Sequence, residues 1–270
     1  MRLDVALRDA RARGRPIVVP YLLVDRRRAR DQERTVRALA AGGATAIELG
    51  FPFSDPIADG PVLAASAARA LAHGTGWRDL LTTARQVSRV LPVAVMTYAN
   101  PVLAHGLAPA LEALGRAGVT GLIVPDLSLE ESGPWRRAAR RAGLSLVLLA
   151  APAASPARVA AIARRSRGFL YLVSRYGTTG RRGAPESREL ARLVRAARAA
   201  APGLPVLIGF GVRDAATARR AVACGGDGVI VGTALEERIA AGVGPGPLEH
   251  WLRRVALGAA PRSRPRPAQA

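Results

Sequence analysis

Short apolar runs recur along the chain, and between them Leu, Val and Ala return at helical spacing with Arg in the gaps. The runs at residues 17–23, 46–50, 93–98, 121–124, 144–150, 169–174, 206–209 and 228–231 are too short for buried helices and predict eight strands. Amphipathic spacing predicts helices over 30–41, 107–117, 134–142, 156–165, 186–199 and 215–223. Several of these close on glycine before the next strand, at Gly43, Gly118, Gly143 and Gly226. Eight strand–helix units within about 250 residues predict an α/β fold of one domain, a (β/α)8 TIM barrel over residues 1–257. A doubly wound sheet would call for a nucleotide fingerprint, and Gly209-Phe-Gly211 lacks its third glycine. An extra helix over 5–13 would precede the first strand and cover the bottom of the barrel. Residues 258–270, rich in Pro and Arg, carry too little apolar surface to pack and are expected to be disordered.

Charge changes this picture less than its size suggests. The net charge is +20, which ordinarily points to a polyanionic partner, yet all 40 basic residues are Arg, dispersed along the chain with few aromatics beside them. Nucleic acid is therefore not an expected partner. The absence of lysine excludes a Schiff-base aldolase, a pyridoxal phosphate enzyme and a Walker-A phosphate loop in this chain. Cys224 is the single cysteine, so no intramolecular disulfide forms. His73, His105 and His250 have no metal-ligand spacing, and no metal is expected. No apolar stretch approaches the roughly 18 residues of a membrane span, and the first fifteen residues lack a signal core, so a cytoplasmic location is expected.

The densest chemistry lies in Glu48-Leu-Gly-Phe-Pro-Phe-Ser-Asp-Pro-Ile-Ala-Asp-Gly-Pro61. Glu48 falls inside an apolar strand, where ionisation is costly and the pKa rises. Asp55 and Asp59 follow on a loop stiffened by Pro52, Pro56 and Pro61. In a barrel, strand ends and the loops after them gather the chemistry. Two acids in different environments can divide general acid and general base work, although each alone also fits a structural carboxylate or a turn residue.

This stretch closely resembles the signature of the tryptophan synthase α subunit family, which cleaves indole-3-glycerol phosphate to indole and glyceraldehyde 3-phosphate. The resemblance continues through Val19-Pro-Tyr21, Met96-Thr-Tyr-Ala-Asn100, Val124-Pro-Asp126, Tyr171-Leu-Val-Ser-Arg175, Gly177-Thr-Thr-Gly180, Gly209-Phe-Gly211 and Gly228-Val-Ile-Val-Gly-Thr-Ala234. It implies that Glu48 protonates the indole ring carbon and takes the adjacent hydroxyl proton, while Asp59 holds the indole N–H. Tyr21, Met96, Tyr98, Ile123, Tyr171 and Phe210 match the indole pocket, and Thr179 matches a lid threonine in residues 175–183. Gly180, Gly211, Gly232 and Thr233 match the phosphate site, with Thr233 expected to cap a short helix. Pro52, Asp55 and Asn100 resemble the surface that docks a β subunit in an α2β2 heterotetramer. That subunit would hold the pyridoxal phosphate, leaving this chain without a cofactor.

Residues 23–27, Leu-Val-Asp-Arg-Arg, depart from the family's Thr-x-Gly-Asp-Pro turn, which bears on lid closure and on coupling to a partner. Three functions follow from the resemblance: the α chain of tryptophan synthase, a stand-alone lyase supplying free indole to another pathway, or a non-catalytic regulatory partner. Retention of both Glu48 and Asp59 argues against the last.

Overall fold

The computed structural model describes residues 1–173, 187–209 and 211–260. The expected lid at 175–183, with Thr179 and Gly180, and Phe210 and residues 261–270 lie outside them.

Eight parallel strands close into a barrel in chain order. They are β1 (Ile17–Leu23), β2 (Ile47–Gly50), β3 (Val93–Met96), β4 (Val119–Ile123), β5 (Ser145–Ala150), β6 (Leu170–Val173), β7 (Val206–Gly209) and β8 (Gly228–Val231). The helix α1 (Leu3–Ala12) precedes β1. The outer layer continues with α2 (Ala29–Ala41), α3 (Pro61–Ala72), α4 (Trp77–Val87), α5 (Ala99–Ala104) and α6 (Leu107–Arg116). It is completed by α7 (Ser132–Arg141), α8 (Pro156–Arg165), α9 (Ser187–Ala200), α10 (Ala215–Ala223), α11 (Thr233–Ala240) and α12 (Pro245–Gly258). Ala259, just after α12, is still fully buried.

The strands are apolar on both faces because each face meets a different core. Alternate residues such as Val18, Leu22, Leu49 and Val95 pack outward against the helices. Their neighbours Ile17, Val19, Tyr21, Ala94, Ile123, Tyr171, Leu207 and Ile230 fill the barrel itself. Chain reversal between helix and strand uses the left-handed region, as at Gly43 (φ +98°) and Gly118 (φ +85°).

The bottom of the barrel is sealed. Helix α1 inserts Leu3, Leu7 and Ala10 into the inner core, and the Leu3 N–H donates to Thr120 Oγ1 at 3.1 Å. Room for Leu3 comes from Gly121, where a Cβ would stand 2.5 Å from the leucine Cδ2. At the same end Asp227 has a side chain only 7% exposed. Its carboxylate pairs with Arg11 of α1 at 3.0 Å and Arg198 of α9 at 2.7 Å, and accepts from the Val206 N–H of β7 at 2.9 Å. One acid thus ties the plug helix, an outer helix and two strands together.

Candidate active site at the barrel mouth

The opposite end, where the strands finish, is built differently. Glu48 lies in register with Tyr21 of β1 and Ala94 of β3, and its side chain points into the barrel with the inner core. It is fully buried, and neither carboxylate oxygen has a hydrogen-bond partner among the described residues. Burial, and then the nearby charge of Asp59, push its pKa up to about 8. At neutral pH Glu48 therefore carries its proton and can donate it.

Asp59 approaches from the loop between β2 and α3 and is half-buried. Burial raises its pKa to about 6, against the effect of the Tyr98 hydroxyl, which hydrogen-bonds the carboxylate and lowers it. The same hydroxyl accepts the Ala58 N–H at 3.0 Å, and the Phe53 and Tyr98 rings pack at 5.2 Å. The loop is thereby fastened to the end of β3. The two acids differ as the sequence suggests: one is protonated in an apolar strand, the other is ionised on a polar loop.

Around them stand the aromatic walls. Tyr21, Met96, Ile123 and Tyr171 belong to one apolar cluster, and Tyr98 caps the start of α5. Burial first, then the charges of Glu48 and Asp59 among others, push the Tyr21 and Tyr171 phenols well above their ordinary range, so both stay neutral. Gly50 and Gly209 make these rings possible. A Cβ at Gly50 would overlap the Tyr21 hydroxyl, and one at Gly209 would stand 2.5 Å from the Tyr171 ring.

Gly211 follows β7 with φ +91°, and Gly232 follows β8. The expectation that Thr233 caps the next helix is corrected by the backbone. Gly232 is the cap residue, since its carbonyl accepts the N–H groups of Leu235 at 2.8 Å and Glu236 at 3.1 Å, and Thr233 is the first helical residue. The start of α11 beside Gly211 still presents backbone N–H groups at the mouth, which suits an anion. Among the described residues no group of three His, Cys, Asp or Glu side chains is placed to hold a metal ion.

Asp55 and Asn100 are exposed and Pro52 is buried. Ser54 Oγ donates to Asp55 Oδ2 at 2.5 Å. Ile57, 76% exposed, and Leu103, 52% exposed, stand on the same loop and on α5.

Sequence reasoning missed Glu236. This buried carboxylate accepts the Leu23 N–H at 2.9 Å, bridging α11 and β1, and burial raises its pKa to about 7. Gln32 Nε2 donates to the Leu23 carbonyl at 2.6 Å, Thr75 Oγ1 accepts the Arg26 N–H at 3.0 Å, and the Asp25 carboxylate meets His73 Nδ1 at 3.0 Å. The atypical segment after β1 is thus pinned on every side. Its signal in the sequence is faint, because a Glu in a surface helix ordinarily faces water.

A family profile described as tryptophan synthase alpha chain matches residues 7–246. The tryptophan synthase alpha chain of Synechococcus elongatus is 42% identical over 231 residues, covering 85% of this chain and 86% of its own. That of Acidithiobacillus ferrooxidans is 42% identical over 242 residues, covering 88% and 87%. Among solved structures, a Mycobacterium tuberculosis tryptophan synthase superposes with a TM-score of 0.86 at 35% identity, covering 96% of this chain and 98% of the other. The tryptophan synthase subunit alpha of Legionella pneumophila gives 0.82 at 29% identity, with coverage of 96% and 98%. The chain belongs to the tryptophan synthase alpha chain family.

Proposed function

We propose that this chain cleaves indole-3-glycerol phosphate to indole and glyceraldehyde 3-phosphate, with Glu48 and Asp59 as its catalytic pair. The observation that carries the assignment is a fully buried Glu48 with both oxygens unpartnered, facing a second acid whose pKa lies lower. Indole leaves poorly until its ring carbon C3 is protonated. Glu48 delivers that proton, generating a cation delocalised onto the ring nitrogen. The ionised Asp59 accepts the indole N–H and stabilises the positive charge in a low-dielectric pocket. The Glu48 carboxylate so formed then takes the proton of the adjacent side-chain hydroxyl. As the O–H electrons become the aldehyde C=O, the carbon–carbon bond breaks and its pair restores the aromatic indole. Tyr21, Met96, Tyr98, Ile123, Tyr171 and Phe210 enclose the ring, and Gly180, Gly211, Gly232 and Thr233 receive the phosphate. Thr179 also contributes to substrate binding in this reading.

The β subunit of tryptophan synthase is the partner this reading calls for, and pyridoxal phosphate chemistry belongs to that chain. Pro52, Asp55 and Asn100 border the docking surface, and the exposed Ile57 and Leu103 beside them supply apolar area of the kind interfaces bury. Indole release measured with and without a matched β subunit tests both parts. Turnover that rises with the partner, less so in Asp55→Ala, supports the synthase; high activity that ignores the partner assigns a stand-alone lyase. A protein inactive in both conditions overturns the catalytic reading.

A further inference from the structure

Some of the arginines that look dispersed along the chain come together at the sealed end of the barrel. A cleft of about 850 Å³ opens there between the start of α1, the side of α7 from Gly133 to Arg140 and the ends of α8 and α9, over the start of β5 and the segments just before β6 and β7. Among the described residues, seven arginines line it and Asp4 is the only acid that does. Three of the seven are already engaged. Arg2 and Arg8 pair with Asp4 at 3.2 and 2.8 Å, and Arg167 donates to the Ser166 carbonyl at 2.9 Å. The other four, Arg136, Arg137, Arg140 and Arg164, have no side-chain hydrogen bond or ion pair among the described residues.

Helix C-termini offer a plain reason for basic residues here, because carbonyl dipoles favour cations in the last turn. That reason covers Arg140 and Arg164 in part, but each dipole is worth only about half a charge. It leaves the cleft strongly positive and leaves the fork-shaped donors of four guanidiniums open. Such donors match phosphate oxygens, two at a time. Among the described residues the lining holds no aromatic side chain and no Asn or Gln that could read a base. The volume is that of a small-molecule site.

We propose that this cleft binds a compact, multiply phosphorylated anion, recognised through its phosphates alone. The site is separated from the catalytic mouth by the length of the strands, roughly 15–20 Å at about 3.3 Å per residue, so it is independent of the substrate's own phosphate.

Titration calorimetry with inorganic tripolyphosphate at low salt tests this. One saturable site is expected, weakened at least tenfold by R136A/R137A/R140A and indifferent to glycerol 3-phosphate. Removing three equally unpartnered arginines that lie outside the cleft, on and just after α4, R78A/R85A/R89A, should change affinity less than twofold. Circular dichroism and indole release should show that both triple variants remain folded. Equal weakening in the two variants would mean that net charge alone attracts the anion and would overturn the site. So would absence of saturable binding, displacement by glycerol 3-phosphate, or tighter binding of a single-stranded oligonucleotide, which would assign the surface to nucleic acid.

Discussion

Glu48 and Asp227 are both acids set within the barrel, and they are treated in opposite ways. Asp227, at the sealed end, has two arginines and a backbone N–H around its carboxylate. Glu48, at the open end, has none of these and is the more deeply buried of the two. A carboxylate left bare in an apolar core is destabilising when ionised, and the proton transfer proposed above accounts for its presence there. The comparison separates the two acids by purpose: the one where strands begin is fully paired, and the one where they finish keeps its hydrogen-bonding capacity unspent.

Glu48→Gln breaks this contrast most severely. Turnover should fall by about 10²–10⁴-fold, because the amide keeps the shape and loses the transferable proton. Stability should move the other way. The Glu48 pKa is raised on folding, so its contribution is favourable below its unfolded pKa and is lost as pH rises through about 8. The amide escapes that penalty, and thermal melts should show the variant more stable than the parent by on the order of a few kcal/mol above pH 8. A variant that is inactive and also less stable at high pH would mean Glu48 is a structural carboxylate.

At the sealed end, Leu3→Ala should cost about 2–5 kcal/mol in denaturant unfolding, since it empties the space that Gly121 leaves for the side chain. Asp227→Asn should cost roughly 1.5–3 kcal/mol, the range for hydrogen bonds to charged groups. Neither should alter catalysis per folded molecule. A large loss of turnover in folded Asp227→Asn protein would show that the two ends are coupled.

The smallest effects concern pH. The kcat/KM profile should be a bell, falling below about pH 6 as Asp59 gains a proton and above about pH 8 as Glu48 loses one. Because the two charges interact, these limbs belong to the pair. Tyr98→Phe removes the hydroxyl that lowers the Asp59 pKa, so the acid limb should move upward, by about one unit or less. An unmoved limb would detach Tyr98 from Asp59.

Much of this was legible in the sequence. Strands β1, β7 and β8 and helices α8 and α10 begin and end where the periodicity predicts, because their apolar runs are bounded by turn residues. Glu48 announces itself as a charge in an apolar strand. The role of Asp227 was not legible, since an acid between Gly226 and Gly228 reads as a turn until Arg11 and Arg198 arrive from elsewhere in the chain. Glu236 and the arginine cleft were hidden for the same reason: each exists only where distant segments meet. Thr233 misled through its side chain, a usual cap, whereas the preceding glycine carbonyl starts the helix.

The tyrosine rings that lie over Gly50 and Gly209 make the pocket's evolvability one-sided. Trimming Tyr21 or Tyr171 is a single change that opens room for a larger ring system. Narrowing the mouth by adding a side chain at either glycine collides with a ring at once, so it requires two changes together. At these two positions, widening the pocket is therefore a one-step change and narrowing it a two-step one.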